Sequence, residues 1–268
     1  MTITRQAPPL QDVLAAFGLS ISPVPLSGGQ GQAFRAGNFV LKPASDVAEV
    51  AWLAQALPRI TQHGFRLASY VASDSGALFV DGWTAQNYLE GEHLVGRWSE
   101  VIETSHALHR ALIEVARPPF LESKSDPWAI ADRMAWGEQP MAAYPAIGEL
   151  LEPLALALRP IPSASQLIHG DLTHNVLFAD GLPPAIIDFS PYWRPAAFAA
   201  CIVVVDALTW HQADPSLLDD VAELPDVDQL LVRAVIWRLI AQAEHKRLSV
   251  SDLSPHRDVA RLVLDRMV

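Results

Sequence analysis

One stretch of the chain constrains its fold more than any other. Residues 166–190 read QLIHGDLTHNVLFADGLPPAIIDFS, in which short apolar runs end beside polar residues that solubility alone does not require. Turn chemistry at Asp180-Gly181 and Pro183-Pro184 separates two of these runs. We therefore predict a β-hairpin with strands over residues 175–179 and 185–187.

Three polar side chains stand at the ends of these runs. A hairpin would hold Asp171, Asn175 and Asp188 at strand ends and loops, where a rigid scaffold can position chemistry. Two carboxylates and one amide suit hard cations with oxygen ligands, typically magnesium carried with a nucleotide. The alternative is that these residues only form the turns.

The complete stretch resembles the His-Gly-Asp…Asn and Ile-Asp-Phe signature of the aminoglycoside phosphotransferase and choline kinase-like superfamily. The resemblance implies an α+β, bilobal protein-kinase-like fold, with a small β-rich N-lobe and a larger, mainly helical C-lobe. It also implies that Asp171 is the base beside the acceptor hydroxyl, that Asn175 and Asp188 bind Mg²⁺, and that His169 holds the loop. One departure is that three residues, in place of the usual four, separate Asp171 from Asn175.

A glycine-rich segment near the N-terminus fits the same interpretation. Gly28, Gly29 and Gly31 permit a tight turn whose backbone N–H groups approach phosphate oxygens, although a plain hairpin is the alternative. Residues 39–41 then alternate into Lys42. The resemblance implies that this lysine holds the phosphates of ATP.

The next element is predicted to be a helix over residues 47–57, capped by Ser45 or Asp46. Glu49 lies on this helix and is expected to pair with Lys42. The alternative is a surface glutamate. The pairing would fix the lysine before it meets the phosphates.

Short β segments are expected over residues 65–71, 77–80 and 83–89. The resemblance implies that the last one leads into a hinge, where backbone groups of Tyr88 and Leu89 bind adenine. We therefore expect a nucleotide-binding lobe over residues 1–90 and a catalytic and substrate-binding lobe over residues 91–268.

The second lobe opens with a helical pattern over residues 97–115. His106 and His109 share one face of this helix, which is one pattern for a metal site. No third ligand is evident in the sequence, so a core helix is the favoured interpretation.

A further helix is predicted from Asp126-Pro127 to Gly137. Trp128, Asp132 and Trp136 form one stripe of this helix. Two indoles that flank a carboxylate can hold an ammonium group of a substrate. Packing tryptophans with an aspartate at the rim are the alternative, and the favoured one.

An apolar helix is predicted from residue 196 to about residue 210, and it carries Asp206. A buried carboxylate needs partners, and the resemblance implies that Asp206 binds backbone N–H groups of the catalytic loop. Residues 216–224, 227–248 and 256–267 are predicted to form peripheral helices without identifiable chemistry.

The composition restricts the kinds of partner and the cellular setting that we expect for the chain. The net charge of −11 leaves no basic footprint for nucleic acid or anionic lipid. The N-terminus lacks a signal pattern, and the longest apolar run, residues 196–205, is too short to span a bilayer. The single cysteine, Cys201, has no disulfide partner and favours a reduced, cytoplasmic setting.

The leading hypothesis is ATP- and Mg²⁺-dependent phosphorylation of a hydroxyl on a small molecule, with a cationic acceptor of the aminoglycoside or choline kind as one interpretation. A nucleotide-binding pseudokinase is the alternative, because the Asp171–Asn175 loop is short and Lys42 and Glu49 are close in sequence. A protein-substrate kinase is less favoured, since little chain follows Asp188 before the buried helix begins.

Overall fold

The computed structural model describes residues 7–26, 32–44, 46–245 and 253–267. The predicted phosphate-binding residues Gly28, Gly29 and Gly31, and the alternative cap Ser45, lie outside the described residues. The chain forms two compact units. One contains Met1–Glu92 and Leu177–Asp188, and the other contains His93–Val176 and Phe189–Val268. A single division at residue 90 does not describe this arrangement, because the chain returns to the first unit.

Among its described residues, the first unit contains a five-stranded antiparallel sheet, two α-helices and a short 3-10 helix, Leu57–Arg59. The strands lie in the order β1, β2, β3, β6, β5, and they comprise β1 Val24–Pro25, β2 Phe34–Ala36, β3 Phe39–Pro43, β5 Tyr70–Val71 and β6 Trp83–Asn87. Helix α1, Gln11–Ala16, packs Val13 and Leu14 with Leu41 of β3 in the core of the unit. Because side chains alternate along a strand, Lys42 lies on the opposite face of β3 from Leu41.

Helix α2, Val47–Ala56, begins where its sequence predicts. The Asp46 carboxylate accepts a hydrogen bond of 2.9 Å from the backbone N–H of Glu49, which satisfies one free donor of the first turn. Asp46 is therefore confirmed as the cap.

A second, three-stranded sheet completes this unit. Strand β4, Arg66–Leu67, pairs in parallel with β9, Leu182–Ile186, which neighbours β8, Val176–Ala179. The predicted hairpin is thus confirmed, with its turn at Asp180-Gly181, but Pro183-Pro184, predicted to belong to the turn, lie within β9.

The predicted β segment over residues 65–71 is divided between the two sheets. Ala68 donates its N–H to the carbonyl of Ile186, whereas Ser69 is held by the backbone and side chain of Asn87. The chain therefore changes sheets between these two residues. The segment predicted over residues 77–80 contributes only an isolated bridge between Val80 and Trp83.

The second unit is mainly helical. Its helices are α3 Trp98–Ala111, α4 Pro127–Ala135, α5 Gly148–Ala157, α6 Ala196–His211, α7 Val227–Glu244 and α8 Ser254–Asp265. A two-stranded antiparallel sheet pairs β7, Gln166–His169, with β10, Pro191–Arg194. Asp126 caps α4 by accepting from the N–H groups of Trp128 and Ala129, as the Asp-Pro order predicts.

Helix α7 corrects a prediction, because it is central and not peripheral. It packs against α4, α6 and α8, and Leu230, Trp237 and Ile240 are fully or almost fully buried. Two arginines on this helix, Arg233 and Arg238, are buried as well. Arg238 is accommodated by an ion pair with Asp206, and the guanidinium groups of both arginines contact indole rings.

The α+β class is confirmed, with β structure concentrated in the first unit and helices in the second. Within the described ranges, no helix has both the length and the apolar character needed to cross a membrane.

Candidate active site

Lys42 and Asp188 form an ion pair in the first unit. Lys42 lies on β3, and Asp188 follows the end of β9. Their side chains are 23% and 31% exposed, so both groups remain accessible to a ligand. Asp188 has a left-handed backbone conformation with φ of 51°. Non-glycine residues adopt this conformation at a cost, and such strain is concentrated at functional sites.

Two further groups share the electrostatic environment of this pair. Burial raises the pKa of the Tyr70 hydroxyl, and the carboxylates of Glu49 and Asp188 raise it further. Glu49 therefore lies close enough to Tyr70 for its charge to affect the pKa of that hydroxyl. The direct pair between Lys42 and Glu49 stays a prediction, since the ion pair that the structure shows for Lys42 is with Asp188.

The two predicted adenine-binding residues, Tyr88 and Leu89, differ in whether the backbone N–H group already has a hydrogen-bond partner. Tyr88 donates its N–H to the carbonyl of Asn38 over 2.8 Å, and the Arg35 guanidinium lies 3.7 Å from the centre of its ring. Among the described residues, the backbone N–H of Leu89 has no hydrogen-bond partner. Leu89 is thus the residue of the two that retains a backbone donor for a base.

The loop that contains Asp171 and Asn175 belongs to the second unit. The Asn175 side-chain amide donates to the backbone carbonyl of Asp171 over 2.6 Å and to its Oδ2 over 3.2 Å. No donor from the described part of the chain contacts the Asn175 amide oxygen, the atom through which an asparagine side chain coordinates a cation. The loop, although one residue short, therefore brings the two side chains together, and the Asp171 side chain stays 52% exposed.

Two buried histidines, His169 and His109, fix the start of this loop through hydrogen bonds to backbone N–H groups. The His169 ring accepts a hydrogen bond from the backbone N–H of Asp171 over 3.1 Å. The backbone N–H of His169 donates to Nε2 of His109 over 3.1 Å, while Nδ1 of His109 donates to the Ser105 carbonyl over 2.7 Å. Both ring nitrogens of His109 are thus engaged in a neutral ring, and burial lowers its pKa from 6.5 to about 3.

This arrangement makes His109 a packing residue. A metal ligand needs a free ring nitrogen, and His109 has none. The described ranges also contain no group of three histidine, cysteine or acidic residues arranged to hold a metal ion.

Asp206 contacts the Asp171–Asn175 loop through a different donor from the one predicted. Its carboxylate accepts from Nε and Nη2 of Arg238 over 2.7 and 2.6 Å, and from the Thr173 hydroxyl over 2.8 Å. Burial raises the pKa of Asp206, and the Arg238 guanidinium opposes this effect. Side chains, and not backbone N–H groups, are therefore its partners, because a fully buried carboxylate gains most from a charged donor.

The stripe on α4 is occupied by cations of the protein itself. Asp132 accepts two hydrogen bonds from Arg194, over 3.0 and 2.5 Å, and the Arg194 guanidinium lies 4.8 Å from the centre of the Trp136 ring. Trp128 contacts Trp237 edge to face. The substrate-binding interpretation of Trp128, Asp132 and Trp136 is therefore replaced by the packing alternative.

Sequence reasoning missed a histidine cluster beside the loop. Nε2 of His174 lies 3.0 Å from Nε2 of His211, and the centre of the His93 ring lies 5.0 Å from that of the His174 ring, with the two planes tilted. His211 also lines a cavity of about 400 Å³ together with Trp98, Asp214 and Asp220. His174 precedes Asn175 directly, but its partners are too distant in sequence to be identified from spacing.

Comparisons with known proteins agree with the fold. A family model described as "Phosphotransferase enzyme family" matches residues 23–192, which include Lys42, Asp171, Asn175 and Asp188. A comparison with curated proteins gave no match.

Solved structures match over almost the whole chain. An aminoglycoside phosphotransferase from Alicyclobacillus acidocaldarius is 16% identical, with a TM-score of 0.59 over 98% of this chain and 96% of its own. Spectinomycin phosphotransferase APH(9)-Ia, solved with ADP and spectinomycin, is 13% identical, with a TM-score of 0.61 over 96% and 97%. A thermostable variant of aminoglycoside phosphotransferase APH(4)-Ia, solved with ADP and hygromycin B, is 12% identical, with a TM-score of 0.58 over 94% and 97%.

These likenesses define the class of fold, which is that of the kinase-like aminoglycoside phosphotransferases. The family match spans more than half of the chain, and the chain belongs to the phosphotransferase enzyme family.

Proposed function

We propose that this protein is an ATP- and Mg²⁺-dependent phosphotransferase that phosphorylates a hydroxyl of a small molecule. The observation that carries the proposal is the contact of the Asn175 amide with Asp171. The shortened loop was the main reason to consider a pseudokinase, and this contact shows that the loop still pairs the two residues. The structural neighbours solved with ADP support ATP as the donor.

The nucleotide-binding roles follow from the chemistry of each group. Lys42 supplies a cation for the phosphates, and the free N–H of Leu89 supplies a donor for the base. Asp188 and the amide oxygen of Asn175 are the kinds of oxygen ligand that Mg²⁺ takes together with phosphate oxygens. When bound, Mg²⁺ neutralises charge on the transferred phosphoryl group.

Asp171 is proposed to bind the acceptor hydroxyl and to accept its proton. Its half-exposed carboxylate can reach a ligand, while Asn175 and the His169 ring fix the loop around it. A positioned carboxylate of this kind typically contributes about 10²- to 10⁴-fold to the rate. Positioning and charge neutralisation account for most of the remaining catalysis in phosphoryl transfer.

The acceptor is proposed to be cationic. The cavity beside His211 carries two carboxylates, Asp214 and Asp220, and the indole of Trp98. A hydrogen bond from Ser216 lowers the pKa of Asp214, which therefore stays ionised near neutral pH. An amino sugar or an amino alcohol would match carboxylates and an aromatic ring in one cavity.

The test of the phosphotransferase is an ATP-consumption screen over hydroxylated amines, amino sugars and neutral sugars. Asp171→Asn should lower turnover of the best acceptor by about 10²-fold or more and leave nucleotide affinity within twofold. Thermal shift with ATP and Mg²⁺ provides the binding measurement. If the wild-type protein binds nucleotide but turns over no acceptor, the pseudokinase is the correct interpretation.

The acceptor cavity needs its own test. Asp214→Asn and Asp220→Asn should raise KM for a cationic acceptor and leave KM for ATP unchanged, because each removes a negative charge from the cavity only. Asp219→Asn, on the same 3-10 helix Pro215–Val221 but not in the cavity lining, is the matched control. If KM for the acceptor were the same in all three variants and the wild type, the acceptor would not bind in this cavity.

A further inference from the structure

Arg238 is a buried cation on α7 that faces the catalytic loop. Its side chain is 4% exposed, and two of its nitrogens contact the Asp206 carboxylate. The guanidinium carbon also lies 4.5 Å from the ring centre of Trp237 and 5.3 Å from that of Trp128. Planar ion pairing on one side and indole rings on the others leave this guanidinium with little freedom to move.

The same guanidinium reaches Asp171. Nη2 of Arg238 lies 3.5 Å from Oδ1 of Asp171, and the Asn175 amide lies 3.2 Å from Oδ2. Each oxygen of the Asp171 carboxylate thus has one protein neighbour. Two contacts on different oxygens fix the plane of the carboxylate, which a single contact would leave free to rotate.

We propose that Arg238 is a positioning residue for phosphoryl transfer, which sets the orientation in which Asp171 meets the acceptor hydroxyl. The proposal rests on the proposed function, in which Asp171 accepts the proton of that hydroxyl. Arg238 acts through Asp171 and does not contact substrate, since the guanidinium is buried.

The distances favour this role over simple neutralisation of Asp206. Nη2 of Arg238 lies 2.6 Å from the Asp206 carboxylate and 3.5 Å from that of Asp171. Asp206 therefore fixes the position of the guanidinium. The positive charge still acts on Asp171, although the two groups form no close hydrogen bond. Asp171 therefore keeps lone pairs for the acceptor. A residue that served only Asp206 would have no reason to lie beside the exposed carboxylate of the catalytic loop.

The test uses two variants of the full chain. Arg238→Met alone leaves Asp206 buried without a charged partner, so it is combined with Asp206→Leu, because buried ion pairs are commonly replaceable by apolar pairs of similar volume. The double variant is expected to fold and to bind ATP as the wild type does, while kcat falls on the order of 100-fold, the loss that a catalytic group misplaced by about 1 Å produces. Arg238→Lys keeps the charge and should recover part of kcat.

Arg233→Met is the matched control, because Arg233 is a buried arginine of the same helix that contacts Trp136 and Gln229 instead of the loop. Its kcat should equal that of the wild type. A double variant with wild-type kcat, in a protein that Asp171→Asn inactivates, would overturn the positioning role.

A readout without turnover separates this proposal from the proposed function. Amide hydrogen exchange over residues 169–175 should be faster in the Arg238→Met, Asp206→Leu protein than in Thr173→Val, which removes only the hydrogen bond from the loop to Asp206. Faster exchange supports the positioning of the loop even if no acceptor is phosphorylated. Equal exchange in the two proteins would overturn it even if the wild type is an active kinase.

Discussion

Lys42 and Asp188 are 146 positions apart in the sequence, yet their side chains form an ion pair within one compact unit. Each charge thereby neutralises the other while both remain partly exposed. A nucleotide phosphate would compete for the ammonium, and a divalent cation would compete for the carboxylate. In the proposed function, the pair would therefore link phosphate binding to cation binding.

The two members of this pair should be separable by mutation. Lys42→Met should weaken ATP binding with and without Mg²⁺, because it removes the cation that meets the phosphates. Asp188→Asn should weaken binding mainly when Mg²⁺ is present. Isothermal titration in both conditions measures the difference, and Asp180→Asn, in the exposed turn of the same hairpin, is the control. Equal Mg²⁺ dependence in Asp188→Asn and the wild type would contradict the metal-binding role.

Gly170, directly before Asp171, has no room for a side chain. A Cβ atom there would lie 2.5 Å from Cδ2 of Tyr192 and 3.0 Å from the Trp237 ring. Gly170→Ala should therefore cost about 1–3 kcal/mol of unfolding free energy and lower kcat by displacing the loop. Gly148→Ala, where nothing lies within 4 Å, should be neutral or stabilise α5 by up to about 1 kcal/mol. Urea unfolding measures the unfolding free energy of both variants. Equal values would contradict the tight packing around Gly170.

The pair of Asp132 and Arg194 should matter for stability and not for substrate. Both side chains are below 10% exposed, and the loss of one member of a buried pair typically costs about 3–5 kcal/mol. Asp132→Asn is thus expected to lower the midpoint of urea unfolding while KM for a cationic acceptor stays unchanged. A raised KM in the folded variant would restore the substrate-binding interpretation of the α4 stripe.

His109 should make stability depend on pH. Its pKa is lowered from 6.5 to about 3 in the folded chain, so it stays neutral there while the unfolded chain takes up a proton below about 6.5. Its stabilising contribution is therefore complete above about pH 6.5 and is lost as the pH falls towards about 3. Unfolding measured at pH 7, 5 and 4 should show a flatter dependence in His109→Gln.

The control for this measurement is His63→Gln, because His63 is exposed in the first unit. Its pH dependence should match that of the wild type. If His109→Gln also matched the wild type, the neutral hydrogen-bonded ring would not be a source of the pH dependence.

Features set by residues adjacent in sequence could be predicted. Asp46 and Asp126 cap their helices because a side chain before the first turn meets that turn's own N–H groups. The hairpin formed by β8 and β9 follows in the same way from the turn between its strands. Strand β3 and the buried helix α6 were likewise evident from their local patterns.

Partnerships between distant residues could not be predicted. Three hydrogen-bonded pairs are far apart in sequence: Asp206 and Arg238 by 32 positions, His174 and His211 by 37, and Arg194 and Asp132 by 62. No period of a helix or strand relates such residues, so only the packed chain determines which charges meet. The misassignment of α7 has the same origin, because its arginines are buried only through their distant partners.

The return of residues 177–188 to the first unit also has a consequence for the order in which the protein is made. During synthesis, β4 cannot pair with β9, and Lys42 cannot pair with Asp188, until the chain has been made as far as residue 188. Residues 1–92 therefore lack their second sheet until β8 and β9 have been synthesised. Domains usually fold as they emerge, but the first unit is completed only after residues 93–176 of the second unit have been translated.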